Sequence, residues 1–328
     1  MSKLRLTVAC GDYDSVKALK EGAVEAGGLE LIFLTDMGPR ERHWRLARKM
    51  EFDVCEENVG AYFMARDRGD PVTAIPVFLH RRFRHGFMFI NTGKSIRQPK
   101  DLIGRRIGVK QFQATAIVWM RGILEHEYGV PPSSIEWFSE LDETIEFTPP
   151  FGLKINRLAH NQSVEAMLAE GELDAVLHPD LIKPLVRKDP RVARLFPNFK
   201  GEEIAYYRRT GIFPIMHLMG IRQEIVERHP WVPINMFHAF NEAKAIAMKR
   251  MENPRIVPLI WYREAWEEQE EIAGHDPWEY GPTDRNLNNM NTLASYCHEQ
   301  GLSRRKFTFD DLFVSVFQGR KRGEEFRF

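Results

Sequence analysis

The sequence predicts an α/β protein of two lobes, and three observations carry that expectation. First, a chain of 328 residues is long enough for two domains of ordinary size, each burying its own core. Second, short apolar runs of strand length alternate with helix-like stretches, and the alternation begins afresh after residue 93. This pattern argues a mostly parallel sheet with helices on its faces. Third, the stretch 75–91, IPVFLHRRFRHGFMFIN, sets His80, Arg81, Arg82, Arg84 and His85 between two apolar runs. In open α/β sheets ligands sit at the carboxyl ends of strands, so cations delivered there suit a small anion.

Taken in order, residues 4–9 read as a buried strand, and GDYD follows it with Asp12 or Asp14 able to cap a helix over 15–21. Strands are expected at 29–34 and 52–55, with a charged helix from Gly38-Pro39 to Met50 between them and another after Asn58 to Arg68. The strand-like runs 75–79 and 87–90 complete the first series. The second series has strands at 106–109, 135–138 and 173–177, and helices over 116–124 and 163–170. The apolar positions Ala116, Ile117, Met120, Ile123 and Leu124 make a helical stripe. IMHLMGI, 215–221, reads as a strand returning the chain to the first lobe. From 222 onward the pattern is helical (222–227, 232–251, 256–269 and 284–300), ending in an apolar segment at 309–317. These helices are expected to wrap the first lobe or to offer a homodimer surface.

Composition excludes several function classes. Lys+Arg and Asp+Glu both number 46, which argues against bulk nucleic-acid or anionic-membrane partners. Cys10, Cys55 and Cys297 are widely spaced and form no CxxC pair, so neither a disulfide framework nor a thiolate zinc site is favoured. The N-terminus lacks a signal-like apolar stretch and no run approaches membrane-spanning length; a cytoplasmic location is the expectation. HExxH, the P-loop, the GxSxG elbow and a strand-following GxGxxG are all absent, so no metal or organic cofactor is called for. The 11 histidines leave room for a carboxylate–His–His site.

Candidate site residues follow from position. Arg82 and Arg84 can grip a ligand carboxylate with the forked geometry of guanidinium, and a solvated turn is the plain alternative. His85, beside that cluster, could donate a proton or contact a carboxylate. His217 lies inside an apolar strand, where a satisfied core histidine is the competing account, and His178 ends a strand before Pro179. Asp12 and Tyr13 follow the first strand, and Glu56 and Glu57 the third. A carboxylate there could take a phenolic proton if burial raises its pKa, or could simply cap a helix. Gln113 and Thr115 lie at a helix start, a natural anion site.

Several stretches, LTVACGDYD, FDVCEENVGAY, AIPVFLHRRFRH, DLIGRRIGV, FQATAIVWMRGIL and GHDPWEYG…CHEQGL, together resemble the 4,5-dihydroxyphthalate decarboxylases over almost the whole chain. The resemblance implies a periplasmic-binding-protein-like fold of the second type, with two crossovers, here near 91–94 and 207–215, and a helical C-terminal extension. Residues 1–92 and 216–328 would form lobe 1, and 93–215 lobe 2. It also implies cofactor-independent decarboxylation of a small aromatic carboxylate. Glu57 or Asp12 would ionise a phenol, His85, His217 or His178 would protonate the ring carbon, and Arg82 or Arg84 would hold the carboxylate that stays. A solute-binding protein, a ligand sensor, or an enzyme for another aromatic acid would need the same cleft.

Overall fold

The computed structural model describes residues 2–150 and 152–316. The first series comprises β1 (Leu4–Ala9), α1 (Asp14–Lys20), β2 (Leu29–Leu34), α2 (Pro39–Lys49), β3 (Val54–Asn58), α3 (Val59–Arg68) and β4 (Val72–Arg81). The second comprises β5 (Met88–Asn91), β6 (Arg106–Val109), α4 (Thr115–Tyr128), β7 (Glu136–Ser139), β8 (Ile155–Arg157), α5 (Val164–Glu170), β9 (Ala175–Leu177), α6 (Lys183–Val186), β10 (Val192–Arg194) and α7 (Phe199–Thr210). The chain returns through β11 (Ile215–Arg222) to α8 (Gln223–Arg228), α9 (Val232–Met251), α10 (Tyr262–Ala273), α11 (Asp284–Glu299) and α12 (Phe309–Leu312). No helix among the described residues is long and apolar enough to cross a membrane.

Two sheets result, ordered β2-β1-β3-β11-β4 and β10-β5-β9-β6-β7-β8. In the first, β1 pairs in parallel with β2 and β3, and β11 runs antiparallel between β3 and β4. The second repeats the plan: β6 is parallel to β7 and β9, and β5 is antiparallel between β9 and β10. β8 extends the far edge. In each sheet the one antiparallel strand is thus the first strand after a crossing between the sheets.

This exchange corrects one expectation. The apolar run ending at Ile90, read with the first lobe, pairs instead in the second sheet, so the chain crosses at 82–87 rather than 91–94. The cationic stretch is itself the crossover. A buried apolar run shows that a strand forms but not which sheet it joins. The return crossing falls between α7 and β11, inside the expected window, and the two crossings touch: Arg82 N donates to Pro214 O at 3.0 Å and the rings of Phe83 and Phe213 lie 4.8 Å apart.

One apolar core runs through both sheets, joining Val8, Ile75 and Leu218 to Ile107 and Leu177. Helix α4 sits between them, and Trp119 donates its indole N–H to Ile215 O at 2.9 Å. Gly122 lets α4 approach α11, because a Cβ there would fall 2.2 Å from the ring of Tyr296. β4 tolerates Pro76 because it is an edge strand with a register shift opposite 217–219, and Val314 N closes part of that edge on Ala74 O. The C-terminal helices lie mainly on the first sheet's side, α9 against α1 and β4, with α11 against α3 and α4. The stretch 317–328, assigned by sequence to the first lobe, lies outside the described residues.

Candidate active site

At the carboxyl ends of β1 and β3, one carboxylate organises its surroundings. Strand alternation puts Glu56 and Asn58 on one face of β3 and Glu57 on the other. In the antiparallel pairing Asn58 faces His217, and His217 in turn faces His80 of β4. Glu56 is fully buried. Its Oε1 accepts from Tyr13 Oη at 2.8 Å and pairs with His217 Nδ1 at 2.5 Å, while Oε2 accepts from Gly11 N at 2.8 Å and Arg42 at 2.6 Å. Burial alone would raise its pKa. The adjoining His217, with Arg42 and His43, overcomes that and holds it below the usual carboxylate range. Glu56 is therefore the ionised anchor of the group.

The Glu56 contact at Nδ1 orients the His217 ring and leaves Nε2 as the nitrogen able to exchange a proton. Two further imidazoles meet this ring edge-on, His43 at 4.9 Å and His80 at 4.8 Å between centroids. Both are driven toward neutrality. For His43 the cause is burial, then the His217 and Arg42 charges; for His80 it is burial, then His217, Arg84 and Arg82, taking it to about 2. His43 Nε2 and His80 Nδ1 are buried without a hydrogen-bond partner.

The opposing wall comes from the second sheet. Arg40, His43, Asn58, Gln111, Gln113 and Thr144 line a narrow cleft, partly open to solvent. Thr115 Oγ1 bridges the walls, donating to Asn58 Oδ1 at 2.8 Å and accepting from Gly60 N at 3.1 Å. The side-chain amide of Gln113 is engaged on both sides by the backbone of Ile145. The anion position expected near the start of α4 is filled by the chain's own Glu143, which accepts from Phe112 N at 2.6 Å and Gln113 N at 3.0 Å.

The other residues singled out by sequence fall elsewhere. Glu57 points to the opposite face, buried, with Oε2 unpartnered; burial and nearby Asp70 raise its pKa to about 8. Asp12 is exposed and paired with Lys20. His85 is buried among Phe196, Tyr206 and Tyr128 and shares no ring contact with the His217 group. Burial, with Arg209, lowers its pKa to about 4. His178 is held through Nδ1 by the Asp180 backbone, with Glu165 at 3.7 Å from Nε2. Arg82 is half-exposed, 3.6 Å from Asp180. Arg84 is buried and committed to Pro179 O at 2.8 Å and the Met216 sulfur at 3.1 Å. It braces the crossover, and burial lowers its pKa to about 9. Of the residues expected at the site, His217 and Tyr13 meet at Glu56, while Gln113 and Thr115 form the opposite wall.

Arg42 and His43 were not anticipated. The sequence does hold a trace of them: they stand four and three residues before Leu46, on the face of α2 that is buried, where a charged residue is out of place unless partnered. Among the described residues, the His/Asp/Glu ligand atoms gathered within 4.8 Å belong to Glu125, His126 and Glu299. That surface group lies about ten residues along α4 from the cleft, roughly 15 Å away.

Comparison with known proteins now bears on this geometry. Residues 25–140 match the NMT1/THI5 like family. Across 95% of this chain and 97% of the relative, the sequence is 33% identical to a 4,5-dihydroxyphthalate decarboxylase of Comamonas testosteroni. The chain belongs to the 4,5-dihydroxyphthalate decarboxylase family. A second relative of that name, from Pseudomonas putida, is 33% identical over 63% of this chain and 83% of its own length. Among solved structures, the periplasmic aliphatic sulphonate binding protein SsuA of Escherichia coli aligns over 100% of this chain and 97% of its own, with TM-score 0.57 at 13% identity. The alkanesulfonate-binding protein SsuA of Xanthomonas axonopodis pv. citri covers 96% of this chain and 98% of its own, with TM-score 0.53 at 12% identity. These likenesses establish the fold: a decarboxylase-family chain on the two-lobed periplasmic-binding-protein scaffold. All four histidines and carboxylates of the Glu56 group lie on the first sheet or the helix packed beside it.

Proposed function

We propose that the protein is a decarboxylase of a hydroxylated, phthalate-like aromatic acid, converting 4,5-dihydroxyphthalate to 3,4-dihydroxybenzoate and carbon dioxide. The names of the two relatives support the reaction class. The observation that carries the assignment to this site is the hydrogen-bonded Glu56–His217 dyad with the His43 and His80 rings against it.

The chemistry needs no electron sink beyond the ring. A hydroxyl para to the leaving carboxylate loses its proton, and its electron pair enters the ring. The ring carbon bearing that carboxylate accepts a proton, and the C–CO₂ bond then breaks with its electrons returning to the ring. The phenolate oxygen is then reprotonated, so the net reaction consumes one proton and releases carbon dioxide. His217 Nε2 is the proton carrier, and Glu56 stabilises its charged form. Neutral His43 and His80 offer N–H groups to the phenolate without competing for its proton. Arg82 and Arg84 lie outside the cleft, but their charges reach His80 and help to hold it neutral. The protein would be cofactor-independent.

A solute-binding role is the second reading, favoured by the fold of the sulfonate-binding proteins above. Incubating the protein with 4,5-dihydroxyphthalate and following 3,4-dihydroxybenzoate by chromatography separates the two. Product accumulating beyond one equivalent supports the enzyme. A raised melting temperature without product supports the binder.

A further inference from the structure

Arg40 stands on the cleft wall, and the cations around the site have partners that it lacks. Arg42 serves Glu56, Lys110 pairs with Glu140 at 2.5 Å, Arg82 lies near Asp180, and Arg84 is committed to a carbonyl and a sulfur. Arg40 lines the same cleft as His43, Asn58 and Gln113, and among the described residues no carboxylate lies within ion-pair distance of it. Its neighbour Glu41 is spent on Arg45 at 2.9 Å.

Arg40 is exposed at the mouth of the cleft. Arg40 follows Pro39 in the first turn of α2, where the helix dipole is positive and a positive side chain is disfavoured. It stands three residues before His43, so the two share a face of the helix. His43 presents an unpartnered, buried Nε2 and touches the His217 ring. Arg40, His43 and His217 thus form a row from the cleft mouth to the proton carrier. The nearby pair of backbone N–H groups at Phe112 and Gln113 is already occupied by Glu143, which leaves the Arg40 end to receive a ligand anion.

We propose that Arg40 is the specificity-determining residue of this cleft, its guanidinium gripping the second, non-leaving carboxylate of an aromatic 1,2-dicarboxylate. The inference rests on the decarboxylase reading for the location of the reacting end, but its test does not require turnover. Phthalate has no hydroxyl to ionise, so under the proposed chemistry it binds without reacting. By calorimetry the wild-type protein should bind phthalate more tightly than benzoate or isophthalate. Arg40→Gln should weaken phthalate roughly 10- to 100-fold, the worth of a charge-assisted contact, and leave benzoate unchanged. Arg40→Lys, which keeps the charge and loses the fork, should fall between.

Equal phthalate affinity in wild type and Arg40→Gln would overturn the assignment. So would equal losses for phthalate and benzoate, or a wild-type protein that does not prefer phthalate. Phthalate bound through Arg40 without any product from 4,5-dihydroxyphthalate would leave the inference standing and sink the proposed reaction. Turnover of 4,5-dihydroxyphthalate by Arg40→Gln with unchanged KM would do the reverse.

Discussion

Glu56 and Glu57 are adjacent in sequence, both buried, and opposite in state. Glu56 is ionised because four donors surround it, whereas Glu57 meets an apolar interior. The alternation of β3 makes the difference, and no local residue pattern signals which of the two faces the cleft. Glu57 has a measurable consequence. Its folded-state pKa of about 8 lies above the ordinary 4.5, so its contribution to stability is full below about pH 4.5 and is lost as pH rises toward 8, at about 1.4 kcal/mol per pH unit. Glu57→Gln should therefore raise the melting temperature more at pH 8 than at pH 5, and an equal gain at both would refute the buried-acid account. His85 gives the matching test of an exclusion. With both ring nitrogens unpartnered among aromatic rings, His85→Phe should retain turnover, and a loss of two orders of magnitude would return it to the chemistry. From sequence His85 looked the better candidate, although it and His80 flank the same cationic run. Only pairing across β11 sets His80 apart.

At the scale of elements, what was legible was the existence of strands with strong apolar runs. β1, β2 and β6 begin and end where their patterns do. β8 and β10, of three residues each, were not anticipated, since INR and VAR carry too little pattern to stand out. Helix α7 was also missed: FKGEEIAYYRRT buries little beyond Tyr206 and Tyr207, so its apolar stripe is thin. The α2 helix was expected, but its role in carrying Arg40, Arg42 and His43 to the cleft was not. The start of α3 makes a further prediction. A Cβ on Gly60 would stand 2.4 Å from Gln113 O and 3.3 Å from Asn58 Oδ1, and the nearer atom is backbone that cannot swing away. Gly60→Ala should push the two walls apart. Misplacement by about 1 Å can lower turnover by as much as about 10²-fold, while far-UV circular dichroism should remain native. Unchanged kinetics would show that the walls need not approach this closely.

At the scale of the whole molecule, the resemblance over nearly the entire chain made the two-lobed architecture and the return of β11 to the first sheet legible, but the exchange that puts β5 in the second sheet was not. That exchange makes 82–87 and 211–214 adjacent crossings, and a shared core with α4 between the sheets holds the walls together. Burial of Glu56 beneath the cleft excludes water from that carboxylate and strengthens its electrostatics. Ligand entry then requires the walls to part, as in other proteins that close around a ligand.

The central claim is that the Glu56–His217 dyad carries the proton for decarboxylation. The most direct measurement compares 3,4-dihydroxybenzoate formation from 4,5-dihydroxyphthalate by the wild-type protein with that by Glu56→Gln and His217→Gln, at matched substrate occupancy. The predicted result is product from wild type and a kcat lower by roughly 10²–10⁴-fold in each variant, with phthalate affinity retained. Product formed at the wild-type rate by either variant would contradict it.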